Sequence, residues 1–195
     1  MPILQRDLHE QLRREALANH ERMAGVVRKL DPEQLVRRPS PTTWSVALVL
    51  EHLCVTDERG AKELATLIHR ARPDAAAPLR EWKPTFLGNL IAGGLSKPKP
   101  LGAPSLLRPG KTPRNGVVED FLARAMRFIH RMDESASLDW RALRLGSPAL
   151  PWLPGFLKLN LGDTFNIHVI HVRRHLAQIE RVIDVVAPGV PAPTR

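Results

Sequence analysis

Apolar positions recur at helical spacing through most of the chain. Between residues 3 and 30, Leu4, Leu8, Leu12, Ala16 and Met23 fall on one stripe, and Val26, Val27 and Leu30 extend it. Arg and Glu fill the opposite face. Asp31-Pro32 then supplies a stop or a new first turn, and Pro39 and Pro41 keep the next stretch out of regular helix. A second helix is predicted from about 43–45 to 72, with Thr43 or Ser45 able to accept from the free amides of its first turn. Its segment 46–55 is apolar nearly all round and encloses His52, and Pro73 ends it. A third helix fits 117–137, where Val118, Phe121, Leu122, Ala125, Phe128, Ile129 and Met132 form one stripe. A fourth fits 161–186, beginning near Gly162-Asp163 and running roughly 39 Å at the usual rise. Strand-like alternation is nearly absent. The pattern predicts an all-α domain, a four-helix bundle.

The connections are uneven. Residues 73–113 hold eight of the 18 prolines, together with Gly93-Gly94, Gly102 and Gly110. So many missing amide donors exclude a long buried element, although 86–95 suits a helical turn or two. So long an irregular stretch is either a lid or interaction loop, or a surface insertion. A second proline-containing connection carries Pro148, Pro151 and Pro154, and Pro188, Pro191 and Pro193 mark 188–195 as a tail. The expected organisation is one domain over 1–187.

Composition narrows the class. At 195 residues, 43% apolar and 25% charged, the chain matches globular averages and can bury a core without disulfides. The one cysteine, Cys54, cannot close an intramolecular disulfide and suits a reducing cytoplasm. It reads as a small core residue. No apolar run approaches a membrane span, and the N-terminus lacks a signal-peptide pattern, so a cytoplasmic location without membrane contact is expected. The net charge of +9 permits binding to nucleic acid or anionic lipid. The basic residues are scattered in pairs rather than gathered in a block, which suits a solvated surface better than a nucleic-acid site.

The candidate chemistry lies in the histidines. His168, His171 and His175 are spaced to share one face of the last helix, flanked by Ile167, Ile170, Leu176, Ile179 and Ile183. That face points inward or to the rim of a cavity. Two imidazoles one turn apart can converge on one ion, and His52 can add a third ligand if the second and fourth helices are neighbours. Three protein ligands with an open position suit a catalytic zinc or nickel site; hydrogen-bonded core histidines are the competing reading. No Glu-x-x-His, no His-Glu-x-x-His and no Gly-rich phosphate loop occurs. His9, His20, His69 and His130 read as surface or rim residues.

Thr43-Trp44-Ser45 followed by Leu50-Glu-His52-Leu resembles the start of helix two in the DinB/YfiT-like metalloenzymes. His171-Val-Arg-Arg-His175-Leu-Ala-Gln178-Ile is similar to that family's last-helix signature, and Asn160-Leu-Gly162-Asp163 to the entry of the same helix. These motifs cover about thirty residues. The resemblance implies a four-helix bundle with long crossover connections and a divalent metal, zinc or nickel, held by His52, His171 and His175. His168 has no fixed place in that pattern: it lines the pocket, bonds a ligand water or packs in the core. Trp44 either walls the pocket mouth or staples the start of the second helix.

Members of known activity are metal-dependent thiol S-transferases or related enzymes. The resemblance therefore implies a small-molecule substrate, a low-molecular-weight thiol among the candidates, and a homodimer. Hydrolysis through a metal-bound water is the second reaction class. Arg173 and Arg174 either hold an anionic substrate or are surface charges on the outer face of the last helix. A non-enzymatic binding or stress-associated bundle is the alternative to an enzyme.

Overall fold

The computed structural model describes residues 3–97, 102–147 and 158–189. Among these, the four predicted long helices form as α1 (Gln5–Val27), α3 (Val46–Arg70), α5 (Val117–Glu134) and α6 (Leu161–Val186), with a short α2 (Pro32–Val36) and α4 (Phe86–Leu95) between them. Two 3-10 turns (Ala77–Leu79 and Ser105–Leu107) and four two-residue strands complete the described structure. β1 (Ile3–Leu4) pairs antiparallel with β2 (Glu81–Trp82), and β3 (Arg144–Leu145) with β4 (Leu159–Asn160). Pro148, Pro151 and Pro154 of the second connection and residues 190–195 of the expected tail lie outside the described residues.

The helix boundaries follow local chemistry. Ser45, not Thr43, caps α3, its hydroxyl accepting from the Leu48 amide. Asp31 and Gln34 form a reciprocal capping box that starts α2. Asn160 and Asp163 do the same for α6, each side chain accepting from the other's backbone amide. Gly116 takes a left-handed conformation (φ 66°) at the entry to α5. That helix ends at Glu134, three residues short of the expectation, and Ser135 closes it.

The long helices pack as α1 and α3, each against both α5 and α6. α1 and α3 are therefore diagonal to each other, as are α5 and α6, while α3 and α5 are neighbours despite the long connection between them. Two core clusters fill the bundle. One gathers Met23, Val49, Leu50, Leu53, Phe121, Val172 and Ile179. The other gathers Leu12, Met132, Trp140, Phe165 and Val169. On α6 the boundary between them falls between Val169 and Val172, at the level of His171.

The described part of the 73–113 stretch, residues 73–97 and 102–113, holds more regular structure than its prolines suggest. Its central helix α4 spans ten residues, capped by Thr85, and lies along α6. Both of its ends are tied to α6. At the start, Thr85 donates its amide to the Asp163 carboxylate, and the Asn160 amide donates to the Lys83 carbonyl. At the finish, Arg174 donates to the carbonyls of Leu95 and Lys97 at 3.0 and 2.5 Å. The strap is thus seated on polar groups of α6, which helical periodicity does not report.

Candidate metal centre

His52 projects from the apolar part of α3, and His171 and His175 from successive turns of α6. Because α3 and α6 are neighbours, the three rings meet in the middle of the bundle. His52 and His175 are buried. The Nε2 atoms of His52 and His171 are 3.2 Å apart, and those of His175 and His171 are 3.0 Å apart. One ring nitrogen from each residue lies within 4.8 Å of the others, so the three can hold one ion.

The outward nitrogens fix the tautomers of two rings. His52 Nδ1 lies 2.6 Å from the Leu107 carbonyl oxygen, and His175 Nδ1 lies 2.8 Å from Gln178 Oε1. Both oxygens only accept, so each Nδ1 carries the proton and each Nε2 turns a lone pair toward the cluster. Within the triad, the proton that can face these lone pairs is one on His171 Nε2, which serves one of them at a time. With a cation, all three become ligands, and the Leu107 and Gln178 oxygens act as the acceptors that typically orient metal-bound imidazoles. A tetrahedral centre with bonds of ~2.1 Å sets its nitrogens ~3.4 Å apart, so the two separations to His171 Nε2 need open by only a few tenths of an ångström.

A small cavity of about 10 Å³, with room for one water, opens beside His171. Thr56, Asp57, Arg124, His168 and His171 line it. His168 stacks flat on Phe128, with ring centroids 3.6 Å apart. It therefore lines the cavity and packs on the core at once. Trp44 tilts against His52 at 5.3 Å and touches the core cluster of Leu50 and Ile179, so it is a wall of the triad, away from the cavity. Arg173 pairs with Glu15 on the outside, while Arg174 seats α4. Burial pushes the Cys54 thiol up to about 12, which leaves it a packed core group rather than a nucleophile.

Helical periodicity pointed to the histidines but not to their surroundings. The Leu107 carbonyl is a backbone group and has no sequence signal. Glu51, Asp57, Glu58 and Asp120 form a network with Arg114 and Arg124 beside the triad. Its members come from α3, the connection before α5, and α5 itself, so no local motif joins them. The Arg114 guanidinium bonded to Glu51 holds that carboxyl below its ordinary range.

Burial also keeps the site neutral. It lowers His168 to about 4 and His175 to about 3, and it holds His52 and His171 below 6.5. In the unfolded chain these groups titrate near 6.5. Below that value the unfolded chain binds more protons than the folded one, so the metal-free protein loses stability as pH falls. Urea unfolding between pH 6.5 and 5 should show a slope that approaches roughly 1.4 kcal/mol per pH unit for each of His168 and His175. His168→Leu should remove about one proton of that slope, and an unchanged slope would contradict this assignment.

Among the described residues no helix is long and apolar enough to cross a membrane. Comparison with curated proteins and with solved structures returned no match. The model of one family, the DinB superfamily, matches residues 16–179, from within α1 to the Gln178 turn of α6. That span takes in all three histidines and the capping box ahead of them, and the chain belongs to the DinB superfamily.

Proposed function

We propose that the chain is a metal-dependent enzyme of the thiol-transfer type, with His52, His171 and His175 holding a divalent ion. The observation that supports this most is the convergence of three Nε2 atoms, two of them deprotonated by the acceptors behind their rings. An all-imidazole donor set suits zinc or nickel. Such a cation would supply Lewis acidity, favouring the thiolate of a low-molecular-weight thiol over the thiol.

The chain's own residues do the rest. The triad fixes the reacting centre between α3 and α6. His168 and Asp57 face the same cavity as His171 and are groups there able to accept the thiol proton. His168 is neutral at pH 7 because burial lowers it to about 4. The two core clusters meet on α6 at the level of His171 and hold the rings between them. In the transfer the sulfur forms a bond to an electrophilic carbon, and the leaving group departs with the electron pair.

The cavity takes only a water-sized guest, so a thiol substrate requires movement of Thr56, Asp57 or Arg124. This same observation favours a second reading, a bundle that binds metal without turnover. The deciding experiment is a thiol-transfer screen on metal-loaded protein, with small thiols against electrophilic halides and epoxides. Metal-dependent turnover lost in His171→Ala supports the enzyme. Stoichiometric metal with no turnover for any pair supports the second reading.

A further inference from the structure

The connection from α4 to α5 touches α3 at two consecutive residues. The Leu107 carbonyl accepts from His52 Nδ1 at 2.6 Å, and Arg114 grips Glu51. That grip has three parts: the Arg114 amide to Glu51 Oε2 at 3.0 Å, Nε to the same oxygen at 2.9 Å, and Nη2 to Oε1 at 2.9 Å. The remaining guanidinium nitrogen reaches Glu58 and Asp120 at 2.6 and 2.8 Å. Glu51 itself is buried, and the Leu107 side chain is 4% exposed. A two-pronged guanidinium–carboxylate contact with a buried carboxylate is geometrically stringent. Six residues lie between the two anchors, so the position of one constrains the other.

We infer that Arg114 is a positioning residue of the metal centre. Resting on the triad's reading as a metal site, it acts through the connection: its hold on Glu51 seats the Leu107 carbonyl against His52. The carbonyl keeps the proton on Nδ1 and the lone pair on Nε2. Without it, His52 can take the other tautomer and donate from Nε2 to His171, which blocks the lone pair that the ion requires. By linkage, an ion bound at Nε2 in turn orders the connection. A segment whose sequence reads as an insertion is on this view part of the site.

The test is cobalt(II) titration of the full chain, followed by the visible absorption of the bound ion, with imidazole nitrogen NMR of the metal-free protein. The parent should bind about one cobalt per chain, and its His52 should be in the Nδ1–H form. Arg114→Met should bind roughly 10- to 100-fold more weakly, with a mixture of His52 tautomers. Arg114→Lys keeps the charge but not the fork, and should fall between the two. Arg13→Met, which removes a remote ion pair to Asp133, should bind as the parent does. If Arg114→Met does not fold, Glu51→Gln carries the same expectation. Affinity and tautomer unchanged in the folded Arg114 or Glu51 variant would overturn this inference alone. A parent that binds no cobalt overturns the metal reading and this inference with it.

Discussion

Replacing His171 and His175 together with alanine should abolish metal retention. Untagged parent protein is expected to carry about one divalent ion per chain by ICP mass spectrometry after dialysis, and the double variant none. The geometry sets the size of the effect. Each ring contributes one Nε2, with separations of 3.0 and 3.2 Å across His171. Removing two of three donors leaves His52 alone, and one imidazole does not retain a transition metal through dialysis. The fold should survive, because Val172, Leu176 and Ile179 on the same helix keep their core contacts. Circular dichroism of the variant checks that survival. A parent that stays metal-free after incubation with zinc, nickel or cobalt would sink the metal centre and leave the histidines as core residues.

Gly162→Ala should be strongly destabilising although it adds only one methyl. Gly162 sits in the first turn of α6, with the Trp82 indole directly against its Cα. A Cβ built there falls inside the indole's van der Waals shell, at a separation that real Cβ atoms never show. Trp82 cannot swing aside cheaply. Its Nε1 donates to Asn160 Oδ1 at 3.0 Å, it is buried, and its backbone pairs with Ile3. Asn160 is also the cap of α6, so displacing the indole pulls on the helix start. Overpacking at such a site costs about 3 kcal/mol, or a Tm lower by roughly 10 °C for a chain of this length. Gly25→Ala in α1 is the control: nothing lies within 4 Å of its Cβ position, and the helix should gain up to about 1 kcal/mol. Equal melting temperatures for the two variants would show that the indole yields freely.

Tripeptide motifs and single spacings carried different amounts of this. Asn160-Leu-Gly162-Asp163 was legible as the entry of the last helix. Its letters now have separate reasons. Asn160 caps α6 and accepts from Trp82, Gly162 admits the indole, and Asp163 both completes the cap and holds Thr85. Only the cap is a local matter, and the other duties belong to a strap some eighty residues upstream. Arg174 was legible as a cation on the outer side of the last helix. Its role at the end of α4 required that helix to be in place.

The sequence alone determined the four long helices, because a stripe of apolar side chains at helical period is a local property that hydration reads turn by turn. It also determined that His171 and His175 share a face and that His52 lies in an apolar stretch. Tertiary structure decided the rest. The diagonal packing that brings α3 to α6 depends on how whole helix faces fit, which no window of sequence contains. The tautomers of His52 and His175 depend on one backbone carbonyl and one amide oxygen. The first of these comes from the proline-rich connection and leaves no mark in side-chain identity. The Glu51–Arg114 anchor joins residues 63 positions apart. Long-range polar contacts of this kind are specified by geometry, and geometry exists only after the chain has closed on itself.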